Sequence, residues 1–417
     1  MALHCLDLGI SRFLQFSATL VLPGEADLEH LRGTAVELLK AWPSLQERVN
    51  LLSGRLSRGK EDVEEFWKSK MLITCSLNDV VPVTNGRVNN SKNFDDIFSF
   101  PTALQHPFCD AAGLYHIIEA YRSLLDGEPI KSINPRQPIE LNDELPVREM
   151  RSREAGEPSD FAKFQEESIK VGWRAFGKVC IKQFLLNPKK FENSIRIPAS
   201  RIGYLREKAE EGGIKVTSHD LLLACIYKSC AVSPTWRKVA KDGKEMPPFN
   251  IILNIKNLLK ENTQLHNPFI GVNVPPPAIT ATSETEAILN LAAHMRSTIV
   301  NARSRDCLSR VLDKHQRFQG KPIGTRNLGS KFPTVFVSSW AHLPLFDLEL
   351  QLSASKRARI CYMEPDIAAA EIFRRAGCKK LANILETWKD GKGDFWVHGV
   401  LEKKVWSELN NYSIECV

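Results

Sequence analysis

His106 and Asp110, four residues apart in Gln-His-Pro-Phe-Cys-Asp, are the pair in this chain whose types and spacing best suit chemistry. Phe100 to Gln105 before them carries apolar residues near a strand's period. After them Leu114, Ile117, Ile118, Tyr121, Leu124 and Leu125 share one helical face. His106 is therefore expected on a turn between a strand and a helix. An imidazole on such a turn can face a cleft and take a proton from a substrate. Asp110 falls in the expected first helical turn, where the helix dipole favours a carboxylate that can also brace the loop. A His beside an Asp at a helix start is also a common satisfied polar pair, and these residues alone leave both readings open.

The elements that must position this pair belong to an ordinary globular chain. It has 417 residues, 43% hydrophobic and 25% charged, enough for two domains. The net charge of +7 is spread along the chain, with no basic tract and no aromatic-interleaved basic patch, so no nucleic-acid partner is expected. The ten cysteines form no Cys-x-x-Cys pair and no zinc-type spacing with histidine. Cys225 and Cys230 lie on a helical apolar face and read as core residues of a reducing compartment. No signal peptide and no membrane span is expected, which points to the cytoplasm.

Strands are expected at 13–22, 100–105, 179–185, 249–255, 332–340 and 358–363, with 343–350 continuing the 332–340 strand after a kink. Helices are expected from Asp27 to Trp42, over 113–126, near 160–175, after Ser200, after Thr217 or Ser218, after Thr282 or Ser283, over 304–318 and from Lys403. Val80 to Val83 reads as an edge strand, and 50–80 as a turn with a further element around 67–74. Pro129, Pro135, Pro138, Pro146 and Pro158, among many charges, mark a crossover. The mixture without strict βαβ alternation is α/β, in two sandwich halves. The expected division is 1–150, a crossover at 151–195, and 196–417, with a segment near 355–385 a candidate to return to the first half.

Four segments in order resemble the BAHD acyltransferases of the chloramphenicol-acetyltransferase-like superfamily. His106-Pro-Phe-Cys-Asp110 matches the family's HxxxD. Leu253 to Leu259 (LNIKNLL) matches a strand ending in Asn or Asp followed by a basic residue. Asn267 to Asn273 (NPFIGVN) resembles its Tyr-Phe-Gly-Asn loop. Val337 to Asp347 (VSSWAHLPLFD) resembles its Thr-Ser-Trp segment. Leu6-Asp-Leu-Gly, WPSLQERVN at 42–50 and SHDLLLACIYK at 218–228 also fall in place.

The resemblance implies two chloramphenicol-acetyltransferase-like α/β domains joined by a crossover loop, with an active-site tunnel between them. It implies acyl transfer from acyl-coenzyme A, a co-substrate and not a tightly bound cofactor, to a hydroxylated small molecule by a monomer. His106 would be the general base, a contribution of about 10²–10⁴ in rate. Asp110 would brace the loop against Lys256, Ser338 and Trp340 would donate to the oxyanion, and Asn273 would support the site. Without the resemblance, Lys256 reads equally as an exposed strand-end lysine and Trp340 as a core anchor.

The departures are specific. Ala111 stands where the family has glycine after its Asp, with Gly113 two residues on. Asp347-Leu-Glu-Leu-Gln351 replaces the family's Asp-Phe-Gly-Trp-Gly; Asp394-Phe-Trp396 is only superficially similar to it. The pattern resembles fungal secondary-metabolite members more than plant ones. The lost donor-side motif keeps a second reading open: condensation, cyclisation or isomerisation without coenzyme A, or transfer from a carrier-protein thioester. Basic residues in 206–215, 296–310 and 356–359 are candidates for phosphate contacts and equally solvated edges. No Gly-x-Ser-x-Gly elbow and no metal motif occurs. His116, His219 and His398 read as lone structural histidines, and Cys109 as a candidate thiol at the helix start.

Overall fold

The computed structural model describes residues 14–23, 26–49, 56–58, 83–84, 87–88, 104–105, 110–131, 159–171, 190–237, 247–259, 269–277, 283–317, 323–325, 334–369 and 382–414. Among the described residues the first elements are strand β1 (Leu14–Val21) and helix α1 (Leu28–Ala41), which Asp27 caps by accepting from the His30 N–H at 3.1 Å. Short strands β2 (Glu47–Val49), β3 (Leu56–Arg58), β4 (Val83–Thr84), β5 (Arg87–Val88) and β6 (Leu104–Gln105) follow, then helix α2 (Ala111–Leu125). Helix α3 (Asp160–Ser168) runs into β7 (Ile169–Val171).

The second half opens with β8 (Lys190–Ile197), α4 (Ala199–Glu211), α5 (Ser218–Cys230) and β9 (Phe249–Asn254). Next come β10 (Phe269–Asn273), α6 (Glu284–Ala302), α7 (Arg305–Arg317) and β11 (Ile323–Thr325). The chain ends with β12 (Val335–Ser339), β13 (Glu349–Ser353), β14 (Lys356–Arg359), β15 (Tyr362–Ala369), β16 (Ile384–Lys389), β17 (Phe395–Glu402) and α8 (Lys403–Leu409).

Two sheets organise the α/β fold. One has the order β15-β1-β6; the other has the order β10-β9-β12-β16-β17-β8-β5-β4. In the larger sheet β9, β12 and β16 run parallel, and antiparallel strands flank them. Each half lends strands to the other. β15 pairs along the whole of β1, from Leu14↔Ala369 to Val21↔Tyr362. In return, the β4–β5 pair joins β8 through Arg87↔Ile195.

Period-2 alternation gives the larger sheet two apolar faces. Ile251, Leu253, Val335, Val337, Leu385 and Val397 pack with α5 and α6 in one core. Trp388 and Trp396, on the opposite face, pack with α1 and α2 in a second core. Their rings stack 6.0 Å apart, with Tyr362 edge-on to both.

Several boundaries differ from the sequence expectation, each for a local reason. Helix α4 starts at Ala199 after Pro198. Its cap is Asp394 from β17's approach, which accepts the Ala199 N–H at 2.8 Å, and not Ser200. Thr217 caps α5 in a reciprocal box with Asp220, and Ser283 caps α6. Residues 343–350 do not continue β12. Pro344 leads a 3₁₀ turn over Leu345–Asp347, and the Leu348, Leu350, Leu352 alternation then builds β13 of a hairpin with β14. The 358–363 expectation splits between β14 and β15. The elements expected at 67–74 and 179–185 lie outside the described residues, as do Val80 to Pro82.

Candidate active site

The carboxylate of Asp110 is where the two halves meet. Asp110 is the N-cap of α2, one position before the first helical turn where the sequence placed it. Its Oδ1 accepts the Gly113 N–H at 2.8 Å. Gly113 thus supplies the donor that closes this turn, with Ala111 in the position where the resemblance expects glycine. Oδ2 accepts from Asn254 Nδ2 at 3.2 Å, across from the end of β9. Asn254 is itself fixed, because its Oδ1 accepts the Lys256 N–H at 2.8 Å, an Asx turn that ends the strand and starts a 3₁₀ turn over Lys256–Leu258. The amide group therefore points its NH₂ at Asp110. His106 lies outside the described residues, as does Cys109.

Asp110 is 7% exposed. Burial raises its carboxyl to about 6, against the lowering pull of the Gly113 N–H and of Lys256. The Lys256 ammonium does not contact the carboxylate. It donates instead to His116 Nε2 at 2.8 Å, one helical turn into α2, and its attraction to Asp110 acts through space. An ammonium can only donate, so His116 carries its hydrogen on Nδ1, which faces Glu119 Oε2 at 3.4 Å. Burial, then the neighbouring Lys256, lowers the imidazole's pKa, while Glu119 raises it. Burial likewise lowers that of Lys256. His116 is thus not a lone histidine. The His-x-x-Glu spacing to Glu119 is legible on a helix; a lysine 140 residues away is not.

Ser338 stands at the C-terminal end of β12, level with Ile252 of β9 and Glu386 of β16. Asn254 lies two residues further along the parallel neighbour, so Ser338 and Asp110's partner share one edge of the sheet. That edge, at the carboxyl ends of parallel strands, is where open α/β sheets form their crevices. Ser339 Oγ accepts the Ala341 N–H at 3.4 Å and turns the chain.

Trp340 is 2% exposed, in the core with Leu114, Leu345 and Trp388, and its backbone N–H donates to the Thr387 carbonyl at 2.7 Å. Its ring packs among residues of both α2 and β16. Asn273 is placed elsewhere. It pairs with Asn250, whereas Asn254 pairs with Phe269, so it sits at the far end of the same strand pair. There it bonds Asn250, Ser168 and, through its backbone, Gln165, a buried network that ties α3 to β10. Gly271 belongs to the same packing. A Cβ there would lie 3.0 Å from Asn250 Oδ1, so a larger residue would push that amide out of the network.

Other polar residues singled out in the sequence fall in varied places. His398 Nδ1 lies 2.7 Å from Ser194 Oγ across β17 and β8, and its Nε2 lies 3.5 Å from Glu192, so it too has partners. Burial lowers the His219 imidazole to about 4, which makes it neutral at physiological pH. Many candidate phosphate contacts are paired with acids: Arg206 with Glu210, Lys208 with Glu211, Arg310 with Glu166, Arg357 with Asp126 and Arg359 with Glu349. Asp347-Leu-Glu-Leu-Gln351 builds the edge of the β13–β14 hairpin. Burial pushes the Cys225, Cys230 and Cys307 thiols up to about 12. Among the described residues no cluster of His, Cys, Asp or Glu is set to hold a metal ion, and no helix is long and apolar enough to cross a membrane.

The chain superposes on F. graminearum TRI101 crystallised with coenzyme A and deoxynivalenol. The TM-score is 0.57 at 13% identity, over 98% of this chain and 96% of that one. Vinorine synthase matches with TM-score 0.52 at 12% identity, over 97% and 90%. Polyketide synthase associated protein 5 from Mycobacterium tuberculosis matches with TM-score 0.53 at 12% identity, over 99% and 97%. By fold, therefore, the chain is similar to these structures over nearly its whole length. No family model matches the sequence, and no curated protein is similar to it in sequence.

Proposed function

We infer that this protein is an acyltransferase of the BAHD type that moves an acyl group from coenzyme A to the hydroxyl of a small molecule. The observation that carries the reading is the anchored HxxxD aspartate. Asp110 closes the start of α2 and is tied to the end of β9, at the edge where Ser338 ends β12. That arrangement occurs in a chain whose fold matches structures that contain coenzyme A and small-molecule acceptors.

In this reading His106 is the general base. It removes the proton from the acceptor hydroxyl as the oxygen attacks the thioester carbonyl, and returns it to the leaving thiolate. Asp110 fixes the turn by its bonds to Gly113 and Asn254 and takes no proton from the substrate. Ser338 donates a hydrogen to the oxyanion. Trp340, buried against α2, sets the end of β12 and with it the direction of Ser338. Asn273 supports the sheet from its far end. The tunnel runs between the halves, coenzyme A is a co-substrate, and the enzyme works in the cytoplasm as a monomer on a secondary metabolite of a fungus.

The test is a panel of acyl-coenzyme A donors incubated with hydroxylated metabolites and read by mass. An acyl increment that is lost in a folded His106→Ala variant supports the reading. Transfer that persists in that variant at near-wild-type rate overturns the mechanism. The altered Asp347–Gln351 segment favours the coenzyme-A-independent alternative. Calorimetry separates the two: no binding of acetyl-coenzyme A at millimolar concentration would favour condensation, cyclisation, isomerisation or transfer from a carrier protein.

A further inference from the structure

The Lys256 ammonium has two anionic neighbours and one neutral one, and it bonds the neutral one. Its Nζ meets His116 Nε2 at 2.8 Å, while Asp110 is filled from other directions by Gly113 N–H and Asn254 Nδ2. His116 in turn is oriented by Glu119 on the next turn of the same helix. Lys256 and Asn254 are joined through the Asx turn, so one short segment supplies both the amide that holds Asp110 and the cation that is kept from it.

We propose that His116 and Glu119 are positioning residues for the transfer reaction: they hold the Lys256 ammonium off the Asp110 carboxyl, leaving Asn254 to orient that carboxyl at the start of α2. The proposal rests on the acyl-transfer reading. A lysine is a mobile point charge on a long stem, whereas an amide fixed by an Asx turn offers one direction. Were Lys256 to swing onto Asp110, it would pull the α2 cap toward itself and away from Asn254. A displacement of about 1 Å at a catalytic turn can cost about 10²-fold in rate.

Among the described residues, the charged group acting on Asp110 is Lys256, and those acting on Lys256 are Asp110 and Glu119. The relevant perturbation is thus to free the lysine. His116→Ala should lower kcat about 10- to 100-fold with KM for donor and acceptor within about twofold. His116→Gln, whose amide oxygen can accept from Lys256, should restore most of the rate. Adding Lys256→Met to His116→Ala should also restore it, since the freed cation is then gone. A wild-type kcat in His116→Ala overturns the proposal, and so does a double variant slower than either single one.

A second arm needs no activity, so it stands even if no donor is turned over and the acyl-transfer reading fails. Asp110's own contribution, read as the stability of the wild type minus that of Asp110→Asn, is expected to fall between pH 5 and pH 7.5. Measured the same way in the His116→Ala background, this fall should disappear, because the freed ammonium stabilises the carboxylate. An unchanged fall in that background, with or without Glu119→Gln, overturns the clamp.

Discussion

Replacing Asp110 by Asn isolates the cost of a buried charge. Asn caps a helix about as well as Asp, so the bond from the Gly113 N–H survives. The variant loses the ionisation. In the folded chain burial raises the Asp110 carboxyl to about 6, against 3.8 in the unfolded chain. That difference is worth about 3 kcal/mol in total. Because the folded value is the higher one, the native state binds the extra proton, and this group's contribution to stability falls as pH rises from about 4 to about 6. Integrated between pH 5 and pH 7.5, the fall is about 1.4 kcal/mol. The assay is urea unfolding of wild type and Asp110→Asn at both pH values. The stability difference between the two proteins should shift by that amount in favour of the variant at the higher pH. With a slope near 3 kcal/mol per molar, the relative midpoint moves by roughly 0.5 M. Titrations elsewhere cancel in the difference. A difference independent of pH would mean that Asp110 does not titrate in this window. A shift of opposite sign would mean that Lys256 outweighs burial and that the reasoning about this site is wrong.

Ser338→Ala should lower kcat about 10²- to 10³-fold with little change in KM, the signature of one lost oxyanion donor; steady-state kinetics on any donor found active checks it, and a KM effect alone would refute it. Asn273→Ala should destabilise by about 2 kcal/mol, since it strands the buried Asn250 and Ser168 groups. The folded fraction should keep its kcat, because Asn273 lies four residues of strand, about 13 Å, from the Asn254 level; a tenfold kcat loss would place Asn273 in the reaction. Trp388→Ala should cost about 3–5 kcal/mol by removing a fully buried ring stacked on Trp396, measured by thermal unfolding; a cost under about 1 kcal/mol would show that the aromatic stack does not join the halves.

Much of this was legible in the sequence because the signals were local. Thr217, Ser283 and Asp27 announced their helices by cap chemistry, and the apolar face from Leu114 to Leu125 announced α2. Local signals also explain the errors. The run Leu343 to Leu350 is nearly continuous in apolar residues, which hid the turn at Pro344 and the change of strand. Asp394 caps α4 from 195 residues away, so Ser200 was the better guess from the chain alone. At the site, Asp110 at a helix start and Asn254 at a strand end were readable, but the partner of each side chain was not. Lysine and arginine at that position look alike in sequence. The lysine's choice of His116 over Asp110 depends on how α2 lies against the end of β9, a tertiary fact. Asn273 looked like a site residue because its loop does; strand register moved it to the other end.

The pairing of β1 with β15 sets a schedule for biosynthesis. Leu14 bonds alongside Ala369, so the partner of this strand is made some 355 residues later. At about 5–20 residues per second, the interval between them is roughly 20–70 s on the ribosome. For that time β1 offers an open edge of the kind that attracts other chains. A nascent chain built this way depends on holding β1 apart until β15 has emerged. Its yield in a foreign host should respond more to chaperone supply and growth temperature than to any single stabilising substitution.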